Sequence, residues 1–210
     1  MTLGKRTAVV LLQRLTTLLW GSPPLLLPEI VQHLGAMGAL GWFAKNLPRY
    51  ESLMKKWGPL RTHLLCIEAS LLNGCSYCIH AHAYAFQLHY FRREGRLFPI
   101  DEHGVIALRE QKDDALRSIW KDALAHAGLD EENALFDRLW RLKLEGETPR
   151  DEVSSGIHHI LNMFEMLNFC GMNAQTPFDH AHDGINKDET LKKRYAEARL
   201  ASDNGASHST

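Results

Sequence analysis

Apolar residues recur at helical spacing, three to four positions apart, along most of this chain. The alternating, β-branched runs that strands need are nearly absent. That pattern restricts the chain to an all-α fold. Its 210 residues suffice for one large domain or two small ones. No long linker, low-complexity block or repeat interrupts the centre, so a single multi-helix domain is expected over 28–200. A helical arm at 1–27 precedes it, and a disordered tail at 201–210 follows.

The punctuation of the chain divides it further. Gly21-Ser22-Pro23-Pro24 ends a first amphipathic helix, whose stripe is Val9, Leu12, Leu15, Leu18 and Leu19. Pro28 starts a second, with Gly35, Gly38 and Gly41 inside its pattern, and Pro48 opens a short third that Gly58-Pro59 closes. Helices then follow over 60–73 and from Cys75 to about Gly95. A short one is expected over 102–109, a hairpin over 113–126 and 131–144, one helix from Thr148-Pro149, and a charged one over 187–200. Residues 171–184 read as irregular.

Charge and composition exclude several classes. A formal net charge of −1 gives no basis for non-specific nucleic-acid binding. Lys5 and Arg6 before Ala8-Val9-Val10-Leu11-Leu12 mimic a signal peptide, but Gln13 and Arg14 break the run and no small-x-small site follows. The run is too short to span a membrane. A core-packed helix is the expectation there, with a membrane-surface or partner-binding helix as the alternative. Four cysteines, Cys66, Cys75, Cys78 and Cys170, are too few and too uneven for a secreted disulfide framework, so a reducing cytoplasm is expected.

The chemistry gathers at Asn73-Gly74-Cys75-Ser76-Tyr77-Cys78-Ile79-His80-Ala81-His82. Residues three or four apart share a helix face, so Cys75, Cys78 and His82 lie on one side. Free N–H groups and the positive dipole end of a first turn stabilise a thiolate, which is the reactive form of cysteine. One sulfur can attack and become a sulfenic acid, and the other can then close the disulfide. His82 is placed to move the proton. Two other readings stay open. The cysteines could be ordinary buried residues. They could also join His82 in a zinc site with His80, His63 or Cys66 as the fourth ligand, although no second ligand pair at knuckle spacing is evident.

The segment Leu71-Leu72-Asn73-Gly74-Cys75-Ser76-Tyr77-Cys78, with His82 four past the second Cys and Ser70 five before the first, resembles the active-site segment of the alkylhydroperoxidase D-like branch of the carboxymuconolactone decarboxylase superfamily. The likeness covers residues 63–82. It implies an all-α fold that assembles into homo-oligomers, and thiol-dependent peroxidase activity without haem, metal or other cofactor. The substrate would be a hydroperoxide or disulfide, and a thiol protein or small thiol would restore the dithiol. Cys78 would attack peroxide, Cys75 would resolve, and His82 would belong to the proton relay. The helix with His158, His159, Asn162 and Phe164 loosely resembles the family's helix near the site. Alternatives are a non-enzymatic helical oligomer, or a decarboxylase-like non-redox enzyme on the same fold. The intact C-x-x-C weighs against the latter, because that branch does not depend on the pair.

One departure concerns the relay. The family often has a Glu twelve residues before the first Cys, and His63 stands there. His63 can substitute as a base near neutral pH. Glu68 is the other candidate, although it lies on the apolar face with Arg61 beside it, where an ion pair would account for it. The remaining histidines read as bland. His80 faces away from the dithiol, and His180-Ala181-His182 lies in a polar, solvated loop. His89, Tyr84, Phe86 and Tyr90 are packing or subunit-contact residues.

Overall fold

The computed structural model describes residues 1–207 and contains, among them, nine α-helices and no strand. The helices are α1 Leu3–Trp20, α2 Leu27–Trp57, α3 Pro59–Asn73, α4 Ser76–Glu94, α5 Glu102–Ala107, α6 Asp113–Ala127, α7 Asn133–Leu144, α8 Glu152–Ala174 and α9 Glu189–Ser207. No helix among the described residues is long and apolar enough to cross a membrane.

The centre is the α3–α4 hairpin. Every residue from Thr62 to Leu71 is buried, as are Tyr77 to Ala83, so both helices are covered on nearly all sides. Helices α8 and α7 pack against α3, and α8 and α5 against α4. A smaller cluster of Leu88, Phe91, Ile185, Leu191 and Tyr195 holds α9 and the 175–188 segment on the far side of α4. The arm expected at 1–27 is α1 lying on α2 within the same chain, through buried Ala8, Val9 and Leu12. The Nζ of Lys187 donates to the Leu18 carbonyl at 2.6 Å, and the Asn186 amide donates to that of Trp20 at 3.0 Å, so α1 and the 175–188 segment brace each other.

Several boundaries differ from the sequence pattern for physical reasons. The second and third expected helices run together as α2. Its break falls at Gly35, which takes φ 72° and ψ 168°, and Pro48 is carried inside the helix. Only glycine enters that backbone region without strain. The helix expected from Thr148-Pro149 starts instead at Glu152, because Asp151 and Ser154 form a reciprocal capping box: Ser154 N–H donates to Asp151 Oδ1 at 2.7 Å. At its other end α8 passes through Gly171 to Ala174, beyond the expected start of irregular chain. The terminal helix continues to Ser207, and the remaining positions assigned to a tail, 208–210, lie outside the described residues.

Glu68 does not pair with Arg61. Arg61 grips Glu132 with two bonds, Nε to Oε2 at 2.7 Å and Nη2 to Oε1 at 2.8 Å. Glu68 Oε1 accepts from Trp120 Nε1 at 3.1 Å, and its Oε2 has no partner. Burial pushes its carboxyl pKa well above the usual range, and the Trp120 bond offsets this only in part. Burial thus favours the neutral acid, which faces Trp120 of α6. A folded-state pKa raised in this way leaves stability undiminished below the unfolded value, and stability falls as pH climbs from there toward the folded pKa. Glu68→Gln, which keeps the Trp120 bond and removes the titration, should match the parent melting temperature near pH 4 and exceed it by a few degrees at pH 7. Equal melting temperatures at both pH values would show that Glu68 ionises freely in the folded protein.

Candidate active site

Only two residues, Gly74 and Cys75, lie between α3 and α4. Gly74 takes φ 77° and its N–H donates to the Leu71 carbonyl at 3.1 Å, while Cys75 N–H reaches back to that of Ser70 at 3.1 Å. These two bonds make a Schellman C-cap. Cys75 then serves at once as the N-cap of α4, with extended φ −88° and ψ 97°, and its carbonyl accepts from Ile79 N–H at 3.0 Å. Its sulfur sits where a serine or aspartate oxygen would cap a helix. The N–H groups of Tyr77 and Cys78 lean on it without closing a full cap bond.

The two thiols are neighbours, both beside Gly171, and divide the electrostatics unequally. Cys75 is held below the ordinary thiol pKa by the neighbouring Cys78 thiol, then by the helix N–H groups and by Arg109, against the opposing effect of burial. Arg109 is tied in place by a bond to Ser76 Oγ. Cys78 is pushed well up by burial and by the neighbouring Cys75 sulfur. The stabilisation expected of the first turn thus falls on Cys75. Both sulfurs are free thiols and both are buried.

Cys78, not Cys75, lines a cavity of about 60 Å³, room for a few water-sized groups. The wall is mostly apolar, with Leu27, Phe43, Met163 and Phe164, and its polar side chains include Tyr50, Tyr77, His82 and His182 beside Cys78. Phe164 supplies the edge contact on His82, with ring centroids 4.9 Å apart. Of the neighbours named with it on α8, His159 is buried away from this cavity.

His82 sits at the end of a chain of buried side chains. His63 Nδ1 and His82 Nδ1 lie 3.0 Å apart, and His63 Nε2 lies 3.2 Å from Asp183 Oδ2. Asp183 carries the negative charge: bonds from His63 and His89 hold its pKa far below the carboxylate range despite burial. Burial holds His63 and, more strongly, His82 below the ordinary imidazole value, so both are neutral at pH 7. The network then assigns the protons. His63 donates Nε2–H to Asp183, its Nδ1 accepts Nδ1–H from His82, and His82 Nε2 keeps a lone pair on the ring edge away from His63.

Of the five residues expected at the site, Cys75, Cys78, His82 and His63 come together and Glu68 does not. The polar loop is solvated only in part: His180 is exposed, as expected, whereas His182 is packed. His182 stacks on Trp20 with centroids 5.7 Å apart, and its Nε2 is 3.1 Å from the Tyr77 hydroxyl. That hydroxyl donates to Asp179 Oδ2 at 2.8 Å. His89 is likewise more than packing, since its Nε2 lies 3.0 Å from Asp183 Oδ1. His80 does turn from the dithiol, lying parallel to Phe178 at 4.7 Å. Asp183, His89, His182, Tyr77 and Arg109 were not legible as site residues. The one available signal was the Asp179-His180-Ala181-His182-Asp183 run, rich in polar ligating groups on a stretch without helical periodicity.

Gly171 of α8 closes the site from behind. A Cβ there would stand 2.6 Å from Cys75 Sγ and 3.7 Å from Cys78 Sγ. Gly171→Ala should therefore displace the Cys75 sulfur and lower stability by about 1–3 kcal/mol in denaturant unfolding. Gly41→Ala, where a Cβ meets nothing within 4 Å, should not destabilise. Equal stability of the two variants would mean that α8 does not press on the dithiol.

Comparison with protein-family models, with curated proteins and with solved structures found no match.

Proposed function

We propose that the protein is a thiol-dependent peroxidase or disulfide oxidoreductase working through Cys75 and Cys78. The observation that carries this reading is the pair of neighbouring free thiols at the start of α4, one of which faces a cavity shared with His82. In the proposed cycle a hydroperoxide enters the cavity and Cys78 attacks its terminal oxygen. The O–O bond breaks, sulfur is oxidised to the sulfenic acid, and the alkoxide leaves. The Cys78 proton passes to His82 Nε2 and from there to the alkoxide, giving an alcohol. Cys75, the more acidic thiol, then attacks the Cys78 sulfur as a thiolate, and the departing hydroxide takes up a proton as water. The sum is two thiols and a hydroperoxide giving a disulfide, an alcohol and water. A thiol protein or small thiol returns the disulfide to the dithiol.

Asp183 and His63 support this reading in place of the family's Glu. They orient His82 without carrying the proton away, as a carboxylate does behind a catalytic imidazole. The homo-oligomer and the cytoplasmic setting belong to the same proposal. Exposed Leu3, Leu18 and Met37 offer apolar surface for subunit contact, and four unbridged thiols suit a reducing compartment.

Peroxide consumption in a coupled thiol assay tests the roles. Cys78→Ser should abolish turnover, and Cys75→Ser should leave a sulfenic acid that a dimedone probe captures. Full activity in both variants would sink the proposal, and the reverse pattern would exchange the two roles. His82→Ala should slow the first step about 10²-fold or more, the ordinary contribution of a positioned acid–base group. A rate unchanged by that substitution would remove His82 from the relay.

A further inference from the structure

We propose that His63, His89 and Asp183 form a binding site for one divalent transition-metal ion of the zinc class. The two imidazole nitrogens and a carboxylate oxygen lie within 4.8 Å of one another. His63 Nε2 is 3.2 Å from Asp183 Oδ2, and His89 Nε2 is 3.0 Å from Oδ1. In a tetrahedral site with bonds of about 2.0–2.1 Å, neighbouring ligand atoms stand roughly 3.3 Å apart. Each imidazole nitrogen therefore already stands at that spacing from one oxygen of the shared carboxylate, and side-chain shifts within the 4.8 Å cluster bring all three groups onto one ion. The His63 and His89 rings face each other at 5.8 Å with planes 25° apart, so both Nε2 edges converge on one carboxylate.

The surroundings suit an ion. The three side chains come from α3, α4 and the 175–188 segment, all held by buried contacts. The Ile185 N–H donates to Asp183 Oδ1 at 2.6 Å, and His63 Nδ1 is backed by His82. Such outer bonds orient metal-ligating carboxylates and imidazoles. His63 is fully buried, while the side chains of His89 and Asp183 keep 15% and 12% exposure, which leaves an entry and a fourth position for water. Two imidazoles and one carboxylate select zinc, cobalt, nickel or ferrous iron over the hard, oxygen-preferring cations.

Binding to neutral rings would rearrange their protons. The ion takes the Nε2 lone pairs, so the proton of each ligating ring moves to Nδ1. His63 Nδ1–H then donates to His82 Nδ1, and the His82 proton moves to Nε2. The ring that offers an acceptor to the cavity in the absence of the ion offers a donor in its presence. What this does to turnover rests on the peroxidase reading, whereas the ion site itself does not.

The test uses the full chain stripped with a chelator and titrated with zinc and with cobalt by calorimetry and absorption. One equivalent of zinc should bind, and cobalt should show visible d–d bands without thiolate charge-transfer bands. Affinity should fall at least 100-fold in His89→Gln and in Asp183→Asn. It should be unchanged in the Cys75→Ser, Cys78→Ser double variant. In the unsubstituted protein, ¹⁵N spectra of labelled histidine should move the His82 proton from Nδ1 to Nε2 on zinc addition, a readout that depends on no variant folding. No stoichiometric binding, binding that survives His89→Gln, or thiolate bands lost with the cysteines would each overturn the proposal. Failure of ion binding leaves the peroxidase reading standing, and an inactive metal-free protein would defeat that reading while leaving the ion site intact.

Discussion

The left-handed backbone of Gly74 is the constraint on which the site depends. A turn with φ 77° lets α3 end and α4 begin with only Gly74 and Cys75 between them, so the two helices run back along each other with little slack. His63, eleven positions before the turn, then falls opposite the stretch between His82 and His89, eight and fifteen positions after it. The same turn makes Cys75 both the last participant in the α3 cap and the first in the α4 cap. A longer loop would move the sulfur off the helix N-terminus and change which residues of α3 and α4 face each other. The backbone thus sets the acidity of the thiol and the pairing of the imidazoles together.

Asp183 completes what the hairpin begins. A buried carboxylate must find enough donors to replace water, and this one finds three: His63, His89 and the Ile185 N–H. Meeting that demand anchors the 175–188 segment across α3 and α4. The anchored segment brings His182 and Asp179 onto Tyr77, one of the two residues between the cysteines. The cavity is closed on that side by a loop with little helical structure of its own, held by hydrogen bonds and by the stack of Trp20 on His182.

The fold was legible because helix periodicity is a local property. Helices α3 to α7 follow the spacing, and the misplaced ends occur where side-chain caps or glycine geometry decide, at Gly35 and at the Asp151–Ser154 box. The dithiol and His82 were legible for the same reason, since a one-turn spacing is a statement about a single helix. The role of Asp183 was not, because it is 120 positions from His63 and its loop carries no periodic signal. Glu68 illustrates the limit from the other side. Its place on an apolar face correctly required a special explanation, but the partner was Trp120, 52 positions away, and not the adjacent arginine. Local spacing shows that a buried polar group needs a partner, and only the tertiary packing shows which one.

The unequal acidity of the two thiols fits the proposed cycle in both directions. Closing the disulfide requires a resolving sulfur already present as thiolate, and Cys75 is the one held below the ordinary range. Reopening it requires an incoming thiol to attack one sulfur and expel the other, and the more acidic thiol leaves faster. Only Cys78 faces the cavity, so both the hydroperoxide and the reductant must meet the same sulfur. Each half of the cycle then places negative charge on Cys75, where the α4 N-terminus and Arg109 stabilise it. The depression of the Cys75 pKa is therefore better suited to a resolving and leaving group than to the first nucleophile. The attack on peroxide is left to a thiol whose ionisation is opposed by burial and which needs His82 to take its proton.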